Sequence, residues 1–281
     1  MSQVALATCA GWPELDQDGP VLLAALAEQG LETAVHAWDA ADVDWAGYDL
    51  VVIRSTWDYW DRHAEFLAWT RSVPRLANPA EVIAWNTDKT YLRELEVAGI
   101  PVVPTTWLRP GDSFVLPATR FVVKPSVSAG ARDTAAYEAA DGAARVHVEG
   151  LLSAGRTVLV QPYIDAVDRA GETSVLVFDG RVSHAARKAA VLVPGAGVPE
   201  LGSWRVEACE PTAEQVDLAL RVTAGRDLLY ARVDLLPGPV VLEVELTEPS
   251  LFLRHGPGAA ARFATAVRER AGRTARPSTR S

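Results

Sequence analysis

Lysine is the scarcest charged residue here: of 27 basic residues only Lys89, Lys124 and Lys188 are lysine, and the rest are arginine. In a background pressed so far toward arginine, each retained lysine asks for a reason. A compact ammonium on a flexible stem grips phosphate differently from a guanidinium fork; chance survival on a solvated surface is the plain alternative for any one of them. Basic charge is also outnumbered, with a formal net charge of −9, which argues against a nucleic-acid surface. The two cysteines, Cys9 and Cys209, lie far apart and in no CxxC pair. That argues against a disulfide framework or a zinc site and fits a reducing cytoplasm. No apolar run approaches the roughly 20 residues of a membrane helix, and the start of the chain lacks the basic region of a signal peptide. No G-x-G-x-x-G follows the first strand, which disfavours a dinucleotide site, and no internal repeat is visible.

What is present is ordinary globular material: 281 residues, 49% hydrophobic and 22% charged, enough for two or three compact modules. Residues 3–9 and 50–54 read as buried strands, 31–37 as another, with helices over 20–30 and 62–71 between and after them. Such alternation implies a small parallel sheet with ligands at its C-terminal edge, where the loop Arg54 to Trp60 lies. Asn86 or Thr87 can cap a helix running to Gly99. Phe121 to Val123 is a strand that ends at Lys124-Pro125, before the small-residue loop Ser126-Val127-Ser128-Ala129-Gly130. That loop could fold its N–H groups over phosphates, although it is not a Walker A sequence. Val158 to Val160 leads into Gln161-Pro162-Tyr163-Ile164, which could equally be an ordinary connection. Thr212 to Gly225 and Gly258 to Glu269 read as helices, and the polar tail from Ala271 as disordered.

Two hairpins carry the chemistry. If the second turns on Gly238 and Pro239, Asp234 faces Glu243 and Arg232 faces Glu245, all on one face. Val233 and Leu235 against Leu242, Val244 and Leu246 make the other face apolar. Three carboxylates so close repel one another unless a cation sits among them, and hard oxygen ligands suit Mg²⁺; ordinary solvated charge pairs are the alternative. The first hairpin turns on Asp179-Gly180, which sets Glu172 opposite Arg187 and puts Lys188 on the other face with His184. A weak surface ion pair is one reading. The other has Arg187 meeting negative charge on a transferring phosphate.

The order Lys89, Val122-Val123-Lys124-Pro125 with its small loop, Gln161-Pro162-Tyr163-Ile164, Arg187, then Asp234 and Glu243-Val244-Glu245 resembles the ATP-grasp superfamily of glutathione synthetase and D-alanine–D-alanine ligase. The resemblance spans about residues 78–268, and its motifs are short but specific in order and spacing. It implies the α/β (α+β) class and an ATP-grasp fold: an N-terminal Rossmann-like domain over 1–80, a small lid domain over 81–160, and a metal-bearing domain over 161–270 before the tail 271–281. Lys89 and Lys124 would hold ATP phosphates under the loop carrying Ser126, Ser128 and Gly130. Gln161, Tyr163 and Ile164 would form the hinge that reads adenine, with Asp165 or Asp168 a candidate for ribose. Arg187, together with Lys124, would serve catalysis, and Asp234, Glu243 and Glu245 would bind two Mg²⁺, with Mn²⁺ able to substitute. The family often carries asparagine where Glu245 stands, so its partner is open, with Arg232 a candidate; Lys188 receives no role.

The same resemblance implies an ATP-dependent ligase that activates a small-molecule carboxylate as an acyl phosphate and joins it to a nitrogen nucleophile. Arg54, Arg132, Ser250 and Arg254 are the candidates for holding that substrate. Arg54 to Trp60 together with Glu248-Pro249-Ser250-Leu251-Phe252 most resembles the cyclo-ligases that make D-cycloserine from O-ureido-D-serine. A small-molecule kinase and a non-catalytic ATP-binding module are the rivals. Partners are expected to be small carboxylates and amines, with neither nucleic acid nor membrane involved and homo-oligomer formation left open.

Overall fold

The computed structural model describes residues 2–139, 142–190, 192 and 204–274. The two most uniformly apolar runs become the centre of a parallel sheet, as strands buried on both faces must. Its elements are β1 (Gln3–Thr8), α1 (Gly19–Glu28), β2 (Glu32–Ala37), β3 (Leu50–Ser55), α2 (His63–Ser72) and β4 (Leu76–Ala77), in the order β2-β1-β3-β4. Two short helices follow, α3 (Ala80–Asn86) and α4 (Tyr91–Val97). The helix expected from Asn86 or Thr87 to Gly99 starts later, as α4 after Thr90, with α3 already ending at Asn86, and neither Asn86 nor Thr87 caps it. Asn86 ends α3 with its buried amide turned onto a distant strand, which leaves Lys89 in the turn between the helices.

The second sheet is antiparallel, from β5 (Thr106–Leu108), β6 (Phe121–Pro125), β7 (Ala135–Tyr137) and β8 (Val158–Pro162), in the order β5-β8-β6-β7. Helix α5 (Gly142–Ser153) covers one side with Ala144, Val148 and Leu151, and the short α6 (Val167–Ala170) leads out of it. The third sheet runs β11-β10-β9-β12-β13, from β9 (Glu172–Phe178), β10 (Arg181–Lys188), β11 (Val206–Cys209), β12 (Tyr230–Leu236) and β13 (Val240–Glu245). Between β11 and β12 lies α7 (Ala213–Thr223), opened by a Thr212–Gln215 capping box. The last helix, α8 (Ala259–Thr274), is five residues longer than its expected end at Glu269, so Ala271 to Thr274 are helical; 275–281 lie outside the described residues.

The registers decide what the third sheet presents. Asp234 pairs with Glu243 and Arg232 with Glu245, as the turn at Gly238 implies. A bulge beyond Asp234 then sets Leu235 opposite Val241, so Val241 joins the apolar face and Leu242 lines the opposite, cleft side. In the first hairpin Asp179 and Gly180 both take positive φ, as a tight two-residue turn requires. Arg181 and Val182 pair as that turn dictates, but a second bulge at Ser183 shifts the rest by one. Lys188, not Arg187, therefore faces Glu172. Arg262 of α8 stabilises the bulge, donating from Nη2 to the Ser183 carbonyl at 3.0 Å and from Nε to its hydroxyl at 3.0 Å. Gly171 is required just ahead of β9: it sits at φ 68°, and a Cβ there would lie 2.3 Å from the Lys188 carbonyl oxygen.

One face of this sheet changes character along its strands. Leu176, Phe178, Ala186 and Tyr230 at one end pack with Phe263 and Val267 of α8, Leu22 and Leu26 of α1, and Val4 and Leu6 of β1 in a common core. At the other end the same face carries Glu172, Ser174, Lys188, Arg232 and Asp234. The reverse face is apolar over most of its length, with Arg187 and Thr173 at its far end, and rests on Leu218 and Val222 of α7 and on Tyr91 and Leu95 of α4. Among the described residues no helix is long and apolar enough to cross a membrane.

Candidate active site

The ionic end of the third sheet faces the second sheet across a cleft, with the parallel sheet's loop at Trp57 and Tyr59 closing one side. All three lysines line it, and each is 6% exposed. Lys89 donates from Nζ to the Ser128 carbonyl at 3.0 Å and lies 3.1 Å from Glu243 Oε1. It thereby ties the Ser126–Gly130 loop to β13. Lys188 lies 2.8 Å from Asp234 Oδ2 and 3.0 Å from Glu172 Oε2. Lys124 projects from β6 and, among the described residues, forms no ion pair with a carboxylate within 4 Å; burial lowers its ammonium pKa, against the more distant Glu243. A buried cation with no counter-ion in direct contact is a place for an anion.

Arg232 is the second cation of the centre. Its Nε and Nη2 meet both Asp234 oxygens at 3.0 Å, its guanidinium also binds Glu245, and Nη1 donates to the Ser250 carbonyl at 3.2 Å. Ser174 adds a hydroxyl donor to Asp234 at 2.6 Å. Burial alone would raise the Asp234 carboxyl; Arg232 and Lys188 reverse this and hold it well below the usual carboxylate range. For Glu243 the same opposition to burial comes from Lys89 and Lys124. The balance tips the other way at Glu245, pushed up to about 7 by burial and by Asp234 and Glu243 despite Arg232. Glu248, buried beside Glu245, is pushed up to about 8.

Several sequence-based expectations move. Ser128 and Gly130 line the cleft as expected, as do Gln161, Tyr163 and Ile164; Ser126 lies just behind, its carbonyl accepting from Lys89 N at 2.8 Å. Asp165 and Asp168 point away and bind Arg120 at 2.8 and 3.1 Å. Arg187 is turned to the opposite, exposed side of β10 by the Ser183 bulge, opposite Glu207 on β11. Arg54 is 1% exposed and lines neither cavity; it backs the site by donating to the Pro249 carbonyl at 3.1 Å and facing Asp16 at 3.6 Å. Arg132 stacks on the Trp60 ring at 4.3 Å. Ser250 lines the cleft and an adjoining cavity, where Arg254 is held by Asp18 and Gln17. Lys188 and Glu248 carry no role in the sequence reading, although the rarity of lysine marks Lys188; Arg232 meets Glu245 as that reading allows, and Glu172 pairs with Lys188 in place of Arg187.

Among the described residues no three His, Cys, Asp or Glu side chains form a ready metal cage. Asp234 is enclosed by its cations, whereas Glu243 and Glu245 keep 26% of their side chains exposed toward the cleft. One or two carboxylates whose remaining ligands are substrate phosphates are how Mg²⁺ is commonly held, so this donor set fits a metal that arrives with a nucleotide.

Comparison with known proteins agrees with this geometry. Residues 4–78 match the family described as D-cycloserine synthetase DcsG, N-terminal domain. The cycloserine biosynthesis protein DcsG of Streptomyces lavendulae is 39% identical, over 96% of this chain and 99% of its own. The crystal structure of D-cycloserine synthetase DcsG superposes with a TM-score of 0.85 at 37% identity, covering 96% of this chain and 99% of that one. The D-alanine–D-alanine ligase of Bacillus anthracis, solved with ATP, shares the fold at a TM-score of 0.69 and 16% identity, over 97% and 98% of the two chains. Related to DcsG over nearly its whole length and built on the same ATP-grasp fold, the chain belongs to the D-cycloserine synthetase family of ATP-dependent, carbon–nitrogen bond-forming ligases.

Proposed function

We propose that this chain closes O-ureido-D-serine into D-cycloserine through an acyl phosphate, using ATP and Mg²⁺. The observation that carries this reading is the meeting of Lys89, Lys124, Lys188 and Arg232 with Asp234, Glu243 and Glu245 in one cleft beside the Trp57–Tyr59 and Glu248–Ser250 segments. Four buried cations at one place suit a triphosphate and a transferring phosphoryl group.

Lys89 and Lys124 hold phosphate oxygens, and Ser128 to Gly130 cover them. Gln161 to Ile164 border the adenine. Lys188 and Arg232, rather than Arg187, flank the point where the substrate carboxylate attacks the γ-phosphorus and ADP leaves. The substrate's own nitrogen then attacks the acyl carbon; a C–N bond forms, the bond to phosphate breaks, and the nitrogen gives up a proton. Water then removes the carbamoyl group from that nitrogen as carbamate, which decomposes to ammonia and carbon dioxide. Holding both ends of one molecule in place removes much of the entropic barrier. Glu243 and Glu245, with Asp234 behind them, would hold two Mg²⁺, for which Mn²⁺ would substitute; the metal's contribution is to neutralise phosphate charge. The test is ADP release with O-ureido-D-serine and mass spectrometry of the product. A lactam with inorganic phosphate supports ligation, whereas a lasting phosphoester would assign a kinase. ATP binding without turnover would assign a passive module.

A further inference from the structure

Among the described residues Glu248 is the carboxylate of this cleft with no cation in direct contact, Lys89 and Arg232 acting on it only from a distance. Asp234 has Lys188 and Arg232, Glu245 has Arg232, and Glu243 has Lys89. Among the described residues no lysine, arginine or histidine forms an ion pair with Glu248, whose side chain lines the cleft and shares a hydrogen bond with the buried Tyr59 hydroxyl. The backbone that carries the carboxyl is pinned at Glu248 and at the two residues after it. Trp57 Nε1 donates to the Glu248 carbonyl at 2.9 Å, Arg54 Nη2 to that of Pro249 at 3.1 Å, and Arg232 Nη1 to that of Ser250 at 3.2 Å. Burial and the neighbouring Glu245 push its proton affinity up, a penalty that an incoming cation would relieve. The rings of Trp57 and Tyr59 line the same wall, and aromatic faces attract an ammonium.

We propose that Glu248 receives the primary ammonium group of the amino-acid substrate, and so selects carboxylates that carry an α-amino group. Glu248 has this role only if an amino acid is activated in this cleft, as proposed above. The α-nitrogen lies two bonds from the carboxylate carbon. Seated at Glu248, it leaves that carboxylate among the cations that line the same cleft.

The test compares full-length wild type and Glu248→Gln in steady-state ADP release, with O-ureido-D-serine and with its des-amino counterpart, 3-(ureidooxy)propanoate. Wild type is expected to prefer the amino substrate by about 100-fold in kcat/KM, the scale of a lost charged hydrogen bond. The variant should cut that preference to about threefold, through a higher KM for O-ureido-D-serine at an unchanged KM for ATP and an unchanged Mg²⁺ requirement. An undiminished preference, or a raised Mg²⁺ requirement that would make Glu248 a metal ligand, overturns the proposal. If Glu248→Gln does not fold, wild type decides alone, and equal kcat/KM for the two compounds overturns it. Wild type inert toward O-ureido-D-serine removes the reaction and this role together; wild type active, with the variant's preference intact, removes this role alone.

Discussion

Lys188 and Arg187 are neighbours with opposite fates. Lys188 bridges Glu172 and Asp234 inside the cleft, while Arg187 faces outward beside β11. Arg187→Ala is therefore expected to keep kcat within about threefold. Lys188→Arg keeps the charge but replaces a point donor by a planar fork, and kcat should fall by about 100-fold, the scale of losing one preorganised charge donor. Both variants are read by ADP release, and an inactive Arg187→Ala would return the catalytic role to the outer face. Glu248 makes the pH prediction. Its folded carboxyl holds a proton up to about 8, against an ordinary value of 4.5. Between these values the folded state binds the extra proton, so stability is fully present below about pH 4.5 and is lost as pH rises through 8. The slope is at most roughly 1.4 kcal/mol per pH unit. The melting temperature of ligand-free protein should fall from pH 5 to pH 8, and Glu248→Gln should flatten that fall.

At the scale of elements, β13 is an edge strand, and an edge with unpaired backbone groups invites mispairing. Here two side chains from the α3–α4 region complete it. Asn86 donates to the Val244 carbonyl at 2.7 Å and accepts from Leu246 N at 2.7 Å, while the Tyr91 hydroxyl donates to the Val244 carbonyl at 3.0 Å and accepts from Val244 N at 2.8 Å. Further along, Val241 N donates to the Pro101 carbonyl at 2.8 Å. The strand that carries Glu243 and Glu245 is thus held by the segment that carries Lys89. Asn86→Ala leaves the buried Leu246 N–H unsatisfied and takes one of two donors from the Val244 carbonyl, at a cost of about 2 kcal/mol. Thermal melting should drop by several degrees, and the KM for ATP should rise as the Lys89–Glu243 contact loosens. An unshifted melting curve would show that the edge is held by other means.

Across the whole molecule, the loop Ser126 to Asp133 belongs to the second sheet but packs on the first. Val127 and Ala129 join the core around Ile53, Tyr59 and Phe66, and Arg132 stacks on Trp60. The cleft is closed over by contacts between units distant in sequence. A stacked guanidinium contributes about 1 kcal/mol, so Arg132→Ala should open the loop about fivefold more often. Limited proteolysis within residues 126–133, without ATP, would measure this; an unchanged cleavage rate would show that Val127 and Ala129 suffice to hold it.

Much of this was already legible in the chain. The Asp-Gly and Pro-Gly-Pro turns, the alternation of β12 and β13, and three lysines in an arginine-rich background determined the two hairpins, the pairing of Asp234 with Glu243 and of Arg232 with Glu245, and a phosphate-binding chemistry. Tertiary structure alone decided which of Lys188 and Arg187 faces the cleft. Strand side chains alternate with a period of two, so one extra residue at Ser183 inverts every later position. What stabilises that bulge is Arg262, on a helix 79 residues away. In the same way Asn86 carries every local mark of a helix cap, yet buried carbonyl and N–H groups on β13 compete for its amide and win. Local pattern sets which groups exist and how near neighbours pair; the demand that every buried polar group find a partner sets where they point, and those partners come from elsewhere in the chain.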